Sequence, residues 1–438
     1  EGIDVLAGNR VADGSEPLAM AYAGHQFGSF VPQLGDGRAI LLGEIVDRNG
    51  MRRDIQLKGS GPTPYSRQGD GRAALGPVLR EYIVSEAMAA LGVPTTRALA
   101  AVLTGEAVWR ETPLPGAVLT RVAASHLRIG TFQFFAARGD VEMIKRLADY
   151  AIDRHDPKAR EAANPYRAFL DGVIQRQAEL VARWLHIGFI HGVMNTDNMS
   201  ISGETIDYGP CAFMDTYHSA TVYSSIDRRG RYAYANQPAI AQWNLTRLAE
   251  TLLPILASDE AAAMQEAQDA IDAYPTRFDT AYASGLLRKI GLREGTAEDL
   301  PLAQDLLTRM AANKADFTLT FRRLCDVIGS NSNESVRDLF DDPTAFDDWA
   351  VDWRKRLAID SQDSNERQAD MRRMNPAFIP RNHLVEEAIA AAVEKEDFTA
   401  FENLLAVLSM PFEDQPDAQR YALPPRPEQV VHKTFCGT

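Results

Sequence analysis

Apolar and polar positions change their period part-way along the chain. Up to about residue 125 they alternate, or form short apolar runs broken by glycine. Ala39–Val46 follows a Gly-Asp-Gly turn and predicts a strand. Asp54–Lys58 alternates and is stopped by Gly59-Ser60-Gly61-Pro62, which predicts a second. Thr95–Leu103 and Ala117–Val122 predict two more. Between these strands Val78, Leu79, Tyr82, Ile83, Ala87 and Leu91 recur at helical spacing over 76–91, and Gly92-Val93-Pro94 ends that helix. From about residue 131 the period is mostly helical, most clearly over 164–187, 239–257, 302–313 and 383–408. Pro- and acid-rich breaks near 341–347 and 411–427 divide or end that part. The pattern predicts an α+β fold in three pieces. A sheet-rich unit with one helix spans 1–125, a helical unit spans 126–340, and a C-terminal helical extension and tail span 341–438. Gly-Asp-Gly-Arg-Ala occurs at 35–39 and 69–73, and two copies are too few for a repeat architecture.

Composition narrows the function. A chain of 438 residues, 45% hydrophobic, can bury a sizeable core. With 46 basic and 60 acidic residues the net charge is −14. That disfavours sequence-independent nucleic-acid binding or an anionic-membrane role, both of which need a basic surface. A local basic pocket for a nucleotide stays open. No run of about 18 apolar residues predicts a membrane span. The chain begins at Glu1 without a Met or a leader, and a short missing N-terminal piece is expected. Three cysteines are too few for a disulfide framework and suit a reducing, cytoplasmic setting. Cys436 is expected to be an exposed free thiol, and Cys211 a buried small residue.

The chemistry concentrates in His191-Gly192-Val193-Met194-Asn195-Thr196-Asp197-Asn198, followed by Asp207-Tyr208-Gly209. The first string has the frame of a kinase catalytic loop, and the second stands where a kinase has its metal-binding Asp-Phe-Gly. With the order of elements, this predicts a protein-kinase-like two-lobed fold: a small sheet-rich N-lobe, a large helical C-lobe and the C-terminal extension. The position of the usual catalytic Asp is Val193. Such a loop is either dead or does different chemistry, and Asp197 is the one carboxylate in it that could substitute. Asn198 and Asp207 are hard oxygen donors suited to Mg²⁺, with Mn²⁺ as the alternative, beside nucleotide phosphates. Residues 199–206 are expected to form a tight hairpin that brings the two donors together. His191 reads as a structural loop histidine rather than a base.

Other charged positions are more ambiguous. Gly35-Asp36-Gly37-Arg38 can admit phosphate to backbone N–H groups, although such a motif by itself is more often a hairpin turn. Lys58 ends a strand and Glu81 lies in the next helix, as in a kinase Lys–Glu pair, or both are simply solvated. Asp70-Gly71-Arg72 is either a second phosphate-facing turn or a helix cap. Arg121 and Arg128 could converge on a phosphate, while spacing alone favours solvated or ion-paired roles.

These residues resemble the selenoprotein O (SelO) family of protein adenylyltransferases. The resemblance rests on Ala21–Gly28, Gln33–Ala39, Gln56–Arg67, Gly69–Glu81, Gly92–Arg97, His191–Asn198, Asp207–Pro210 and Asn236-Gln237-Pro238. It covers nearly the whole chain and is weakest between 259 and 365. It implies a kinase-like fold that binds ATP inverted, with the γ-phosphate inward. AMP is then transferred to a Ser, Thr or Tyr hydroxyl and pyrophosphate leaves. By the resemblance, Lys58 holds phosphate and Glu81 orients it. Gly35, Gly37, Arg38, Asp70 and Gly71 contact the nucleotide. Arg121 and Arg128 hold the buried phosphates, Asp197 is the base, and Asn198 and Asp207 hold the metal. Some members end in a redox-active Cys or selenocysteine motif; here Phe435-Cys436-Gly437-Thr438 holds one Cys. The expected partners are ATP, protein substrates and the enzyme itself by auto-adenylylation, in a monomer that touches neither nucleic acid nor membrane. A conventional phosphotransferase would release ADP instead, and a dead nucleotide-binding scaffold would bind ATP without turnover.

Overall fold

The computed structural model describes residues 2–330 and 332–435. Its strands are β1 (Gly24–Gln26), β2 (Ser29–Val31), β3 (Ala39–Val46), β4 (Arg52–Lys58), β5 (Ala73–Ala74), β6 (Arg97–Trp109), β7 (Pro113–Ala123), β8 (Phe189–Ile190) and β9 (Ala212–Phe213). The main helices are α1 (Gly2–Leu6), α2 (Leu75–Ala90), α3 (Ile129–Ala136), α4 (Val141–His155), α5 (Pro165–His186), α6 (Gln237–Leu256) and α7 (Glu260–Lys289). They continue with α8 (Leu300–Ala312), α9 (Phe317–Leu324), α10 (Glu334–Arg337), α11 (Pro343–Leu357), α12 (Ser364–Met374), α13 (Asn382–Lys395) and α14 (Thr399–Leu408). The result is a mixed α+β protein with a small sheet and a large helical part. Among the described residues no helix is long and apolar enough to cross a membrane.

The sheet is antiparallel, in the order β3-β4-β7-β5, and β6 also pairs with β7. Register matters for the site: Gln56 of β4 lies opposite Arg121 of β7, and Lys58 lies opposite Leu119. Side chains two apart share a face of a strand, so Gln56 and Lys58 lie on one side. Helix α2 packs on the sheet through Leu75, Val78 and Leu79, with Ala98, Ala117 and Leu119. Its opposite side, including Ile83 and Ala87, is covered by Phe378, Leu384, Val385 and Leu404 around α13 and α14. The C-terminal helices thus back onto the sheet unit, and α2 is buried nearly all round. Each fully buried Leu or Ile there contributes roughly 1.5–3 kcal/mol.

The helical part has two cores. One surrounds α5, with Phe169, Val173, Ile174 and Val181 against Leu245 and Leu248 of α6. The other centres on Trp349 and Trp353, whose rings stack at 5.3 Å. The tail returns to the centre: Thr434 pairs with Ser224, and its hydroxyl donates to the Pro210 carbonyl at 2.6 Å. Cys211 and Cys325 are buried and form no disulfide among the described residues, whereas Cys436 lies outside them.

Several expectations are corrected. The break near 341–347 ends at Asp342, and from Pro343 the segment is a helix start. Pro343 occupies the first turn of α11, and the Asp342 carboxylate accepts the Thr344 N–H at 3.0 Å. Residues 383–408 form two helices, divided where Glu396 adopts a left-handed φ of 52°. Residues 199–206 turn sharply, with the Gly203 N–H donating to the Ser200 carbonyl at 3.2 Å, but they form no strand ladder with each other. Ser200 bridges to Arg128, the N-cap of α3, and Thr205 to Thr95, just before β6, so the backbone groups a hairpin would use are taken by these segments. Gly35–Arg38 is no hairpin turn either, since β2 pairs with β1 and β3 with β4. The β1–β2 hairpin, the 30-residue α7 and the reach of β6 to Trp109 were not anticipated.

Candidate active site

A cavity of about 700 Å³ opens between the sheet, the loop 59–72 and the catalytic-type loop. Every residue singled out for a role lines it: Gly35, Gly37, Arg38, Lys58, Asp70, Gly71, Glu81, Arg121, Arg128, Asp197, Asn198 and Asp207. Val193 lines it as well. His191 does not; it is fully buried, with Nε2 2.9 Å from the Ile206 carbonyl oxygen and its ring stacked on Trp184.

Asp207 is the centre of the charge arrangement. Its backbone sits in the left-handed region, φ 63°, which turns the carboxylate toward the sheet. Lys58 Nζ donates to Oδ1 at 3.2 Å, Arg121 Nη1 donates to the same oxygen at 2.7 Å, and Arg128 Nη1 donates to Oδ2. Burial favours the neutral carboxyl, but Arg128, Arg121 and Lys58 outweigh it and hold Asp207 well below the usual carboxylate range. Glu81 accepts from Lys58 at 2.5 Å and from Arg121 at 3.2 Å. The solvated alternative for Lys58 and Glu81 is therefore excluded. Arg121 and Arg128 converge on Asp207, and a phosphate would present the same kind of oxygen.

Asp197 is 7% exposed. Gln26 Nε2 donates to its Oδ2 at 3.3 Å, and Oδ1 has no hydrogen-bond partner. Burial pushes its carboxyl up to about 6. Asn198 Nδ2 donates to the Val193 carbonyl at 2.9 Å, which leaves its amide oxygen as the available donor atom.

The glycines answer to packing. A Cβ on Gly35 would lie 2.4 Å from the Tyr65 ring, and Gly35 has φ 102°. A Cβ on Gly71, φ 65°, would lie 2.1 Å from the Gly61 carbonyl oxygen. Both hold the loop 59–72 over the cavity. Asp70 is no helix cap: Ala74 precedes α2 and supplies no side-chain cap. Its carboxylate pairs with Arg110 at 2.8 Å and accepts the Arg72 N–H at 3.0 Å.

Sequence reasoning missed the residues that hold these groups. Gln56 Oε1 accepts from Arg121 at 3.1 and 2.6 Å, and Gln56 Nε2 donates to Asp36 at 3.1 Å. Asp36 lies 3.7 Å from Arg128, and the Arg128 guanidinium sits 4.8 Å from the Tyr22 ring centroid. Asp36 lies within the glycine motif, and Gln56 stands two positions before Lys58 on its face of the strand; those were the available signals.

The chain matches the family described as protein adenylyltransferase SelO over residues 2–409. It is 67% identical over 445 residues to the protein nucleotidyltransferase YdiU of Methylorubrum extorquens (strain PA1). It is 65% identical over 438 residues to that of Bradyrhizobium sp. (strain ORS 278), and 64% over 439 to that of Rhodopseudomonas palustris (strain BisB5). Each comparison covers 100% of this chain and 89% of the relative. A match of this extent, over the residues that build the cavity, makes the chain a member of the protein adenylyltransferase SelO family.

Proposed function

We propose that the protein is a kinase-like, two-lobed protein adenylyltransferase, with an N-lobe over 1–125, a C-lobe over 126–340 and an extension over 341–438. ATP is the co-substrate, and AMP goes to a Ser, Thr or Tyr hydroxyl of a protein. The family membership supports the reaction class. The observation that carries the mechanism is Asp197: a buried carboxylate at the cavity, with one unpartnered oxygen, in a loop whose usual acid is Val193.

The acceptor hydroxyl oxygen attacks the α-phosphorus in line with the bond to the β-phosphate. The new P–O bond forms as the α–β bond breaks, and pyrophosphate leaves with that electron pair. Asp197 takes the hydroxyl proton. Arg121, Arg128 and Lys58 stabilise the departing phosphates, and Glu81 keeps Lys58 in place. Gly35, Gly37, Arg38, Asp70 and Gly71 border the nucleotide. Asn198 and Asp207 fit Mg²⁺ or Mn²⁺: two hard oxygen donors suit an ion whose other ligands are phosphate and water. When bound, the ion offsets phosphate charge. The protein acts as a cytoplasmic monomer and also modifies itself. Incubation with ATP labelled separately at the α and γ positions tests the reading. Label from the α-phosphate is expected on protein; transfer of γ-label alone would make the protein a conventional kinase.

A further inference from the structure

Outside the cavity, on the far side of the β1–β2 hairpin, two guanidinium groups share one indole ring. Arg231 lies 4.9 Å and Arg247 5.1 Å from the Trp243 ring centroid, and His25 meets that ring edge-on at 5.2 Å. Cation–π contact explains why each arginine rests there. It does not explain why two like charges are gathered with so little acid between them. Arg247 pairs with Glu250 at 2.7 Å. Among the described residues no carboxylate forms an ion pair with Arg231, whose Nε is buried without a hydrogen-bond partner. The nearest acid in sequence, Asp227, spends its two oxygens on the backbone N–H groups of Arg231 and Tyr232, at 2.9 and 2.8 Å. Burial and the Arg247 charge together hold the His25 imidazole below its ordinary value. In a chain of net charge −14 this is a local surplus of positive charge.

The cluster is joined to the catalytic-type loop by short links. Gly28 lies against Arg231: a Cβ there would be 3.6 Å from the guanidinium carbon. Two residues earlier, Gln26 holds Asp197. The Phe27 N–H and the Tyr232 hydroxyl both donate to Asn195 Oδ1, at 3.0 and 2.6 Å. Phe27 and Phe30 are exposed beside this path. Neither Arg231 nor Trp243 lines the cavity that holds Lys58, Arg121 and Arg128. The surplus charge therefore lies outside that cavity and reaches Asp197 through Gly28 and Gln26 of one hairpin.

We infer that Arg231, with Arg247 and Trp243, docks an acidic residue of the acceptor protein, next to the hydroxyl that Asp197 addresses. This rests on the adenylyltransferase reading. The acidic group would give the Arg231 guanidinium, which now meets the Tyr232 side chain, the ion-pair partner it lacks, and Phe27 and Phe30 would meet apolar side chains beside it.

Fluorescein-labelled peptides with a single Ser, Thr or Tyr, flanked by Glu in one series and by Gln in the other, test this with the full chain by anisotropy. The Glu series should bind wild type about tenfold tighter, the scale of one charge-assisted hydrogen bond, and the preference should shrink in high salt. Arg231→Gln should abolish the preference, Arg231→Lys should restore part of it, and Arg231→Glu should reverse it toward a Lys-flanked series. Equal binding of Glu and Gln peptides by wild type, or an unchanged preference in Arg231→Gln, overturns the inference. Thermal melts identify any variant that fails to fold, and the wild-type comparison decides without one. The same peptides with α-labelled ATP separate the two claims. Labelling of both series alike keeps the adenylyltransferase and removes the docking site. Acid-selective binding with no α-label on any peptide removes the adenylyltransferase reading, and the acceptor role with it.

Discussion

Arg121 and Arg381 are both about 1% exposed, and each meets two carboxylates, yet they stand in very different places. Arg121 joins Glu81 and Asp207 on the wall of the cavity. Arg381, which opens α13, joins Asp215 at 2.8 Å and Asp316 at 2.7 Å, and it donates to the Ala422 carbonyl at 2.9 Å. Asp316 also accepts the Leu319 N–H at the start of α9. That second cluster closes on itself and clamps the C-terminal helices to the segment after β9. The first is left open: Lys58 and Arg128 crowd onto Asp207 as well, so three cations share one carboxylate. A buried ion pair is therefore no mark of function. What marks the site is that its ion pairs face a cavity, where, on the proposed reading, nucleotide oxygens would take over contacts that Asp207 supplies.

The sharpest way to break this contrast is Asp207→Ala. Turnover should fall by about 10³-fold or more, because both the ion and its phosphate counter-charge are weakened. Transfer of α-label and calorimetric ATP titration measure it, and EDTA on wild type should mimic it. Undiminished turnover in EDTA would remove the ion from the mechanism. Asp197→Ala should lower the rate by about 10²–10⁴-fold while ATP titration is unchanged, because the residue addresses the acceptor hydroxyl. A near-wild-type rate would leave the base unassigned.

The closed cluster should respond the other way. Asp316→Ala leaves Arg381 buried with half its partners and should cost about 3–5 kcal/mol of stability in denaturant unfolding. The rate per folded molecule should stay near wild type. Loss of activity in a fully folded variant would make the clamp part of the site.

The two clusters also differ in pH response. Burial raises Glu81, but Lys58 and Arg121 outweigh it and hold its carboxyl below the ordinary value. Its contribution to stability is thus present above the unfolded value and lost as pH falls through the folded one. Asp215 is pushed up by burial, with Arg381 opposing, so its contribution is present below the unfolded value and lost as pH rises through the folded one. Melting of Glu81→Gln against wild type should show a penalty that shrinks in acid, and Asp215→Asn one that shrinks as pH rises. The smallest effect is expected at Arg97. It pairs with Glu86 at 2.6 Å, with its side chain 54% exposed, and Arg97→Ala should cost at most about 1 kcal/mol.

Much of the site was legible because its signals are local. The spacing from His191 to Asp207, the strand ending at Lys58 and the helix carrying Glu81 are all short-range patterns, and the cavity contains Lys58, Glu81, Asp197, Asn198 and Asp207. Most misses came where a partner lies far along the chain; one was a local ambiguity. Asp342-Pro343 looked like a break because an acid followed by proline also starts a helix, and only the helix behind it tells the two apart.

By itself the sequence determined the α+β order, the extent of β3 and α2, and a catalytic-type loop with Val193 in place of its usual acid. Alternation, helical period and motif spacing need only neighbouring residues. Tertiary structure alone decided that Gln56 meets Arg121 across the register of β4 and β7, and that Tyr65 closes on Gly35. It also decided that α13 and α14 cover α2, and that Arg231 and Arg247 share Trp243. All but the Trp243–Arg247 contact, which is i,i+4 on α6, bring together residues that are not helix neighbours, and their meeting is set by strand register and core packing, which no local pattern encodes.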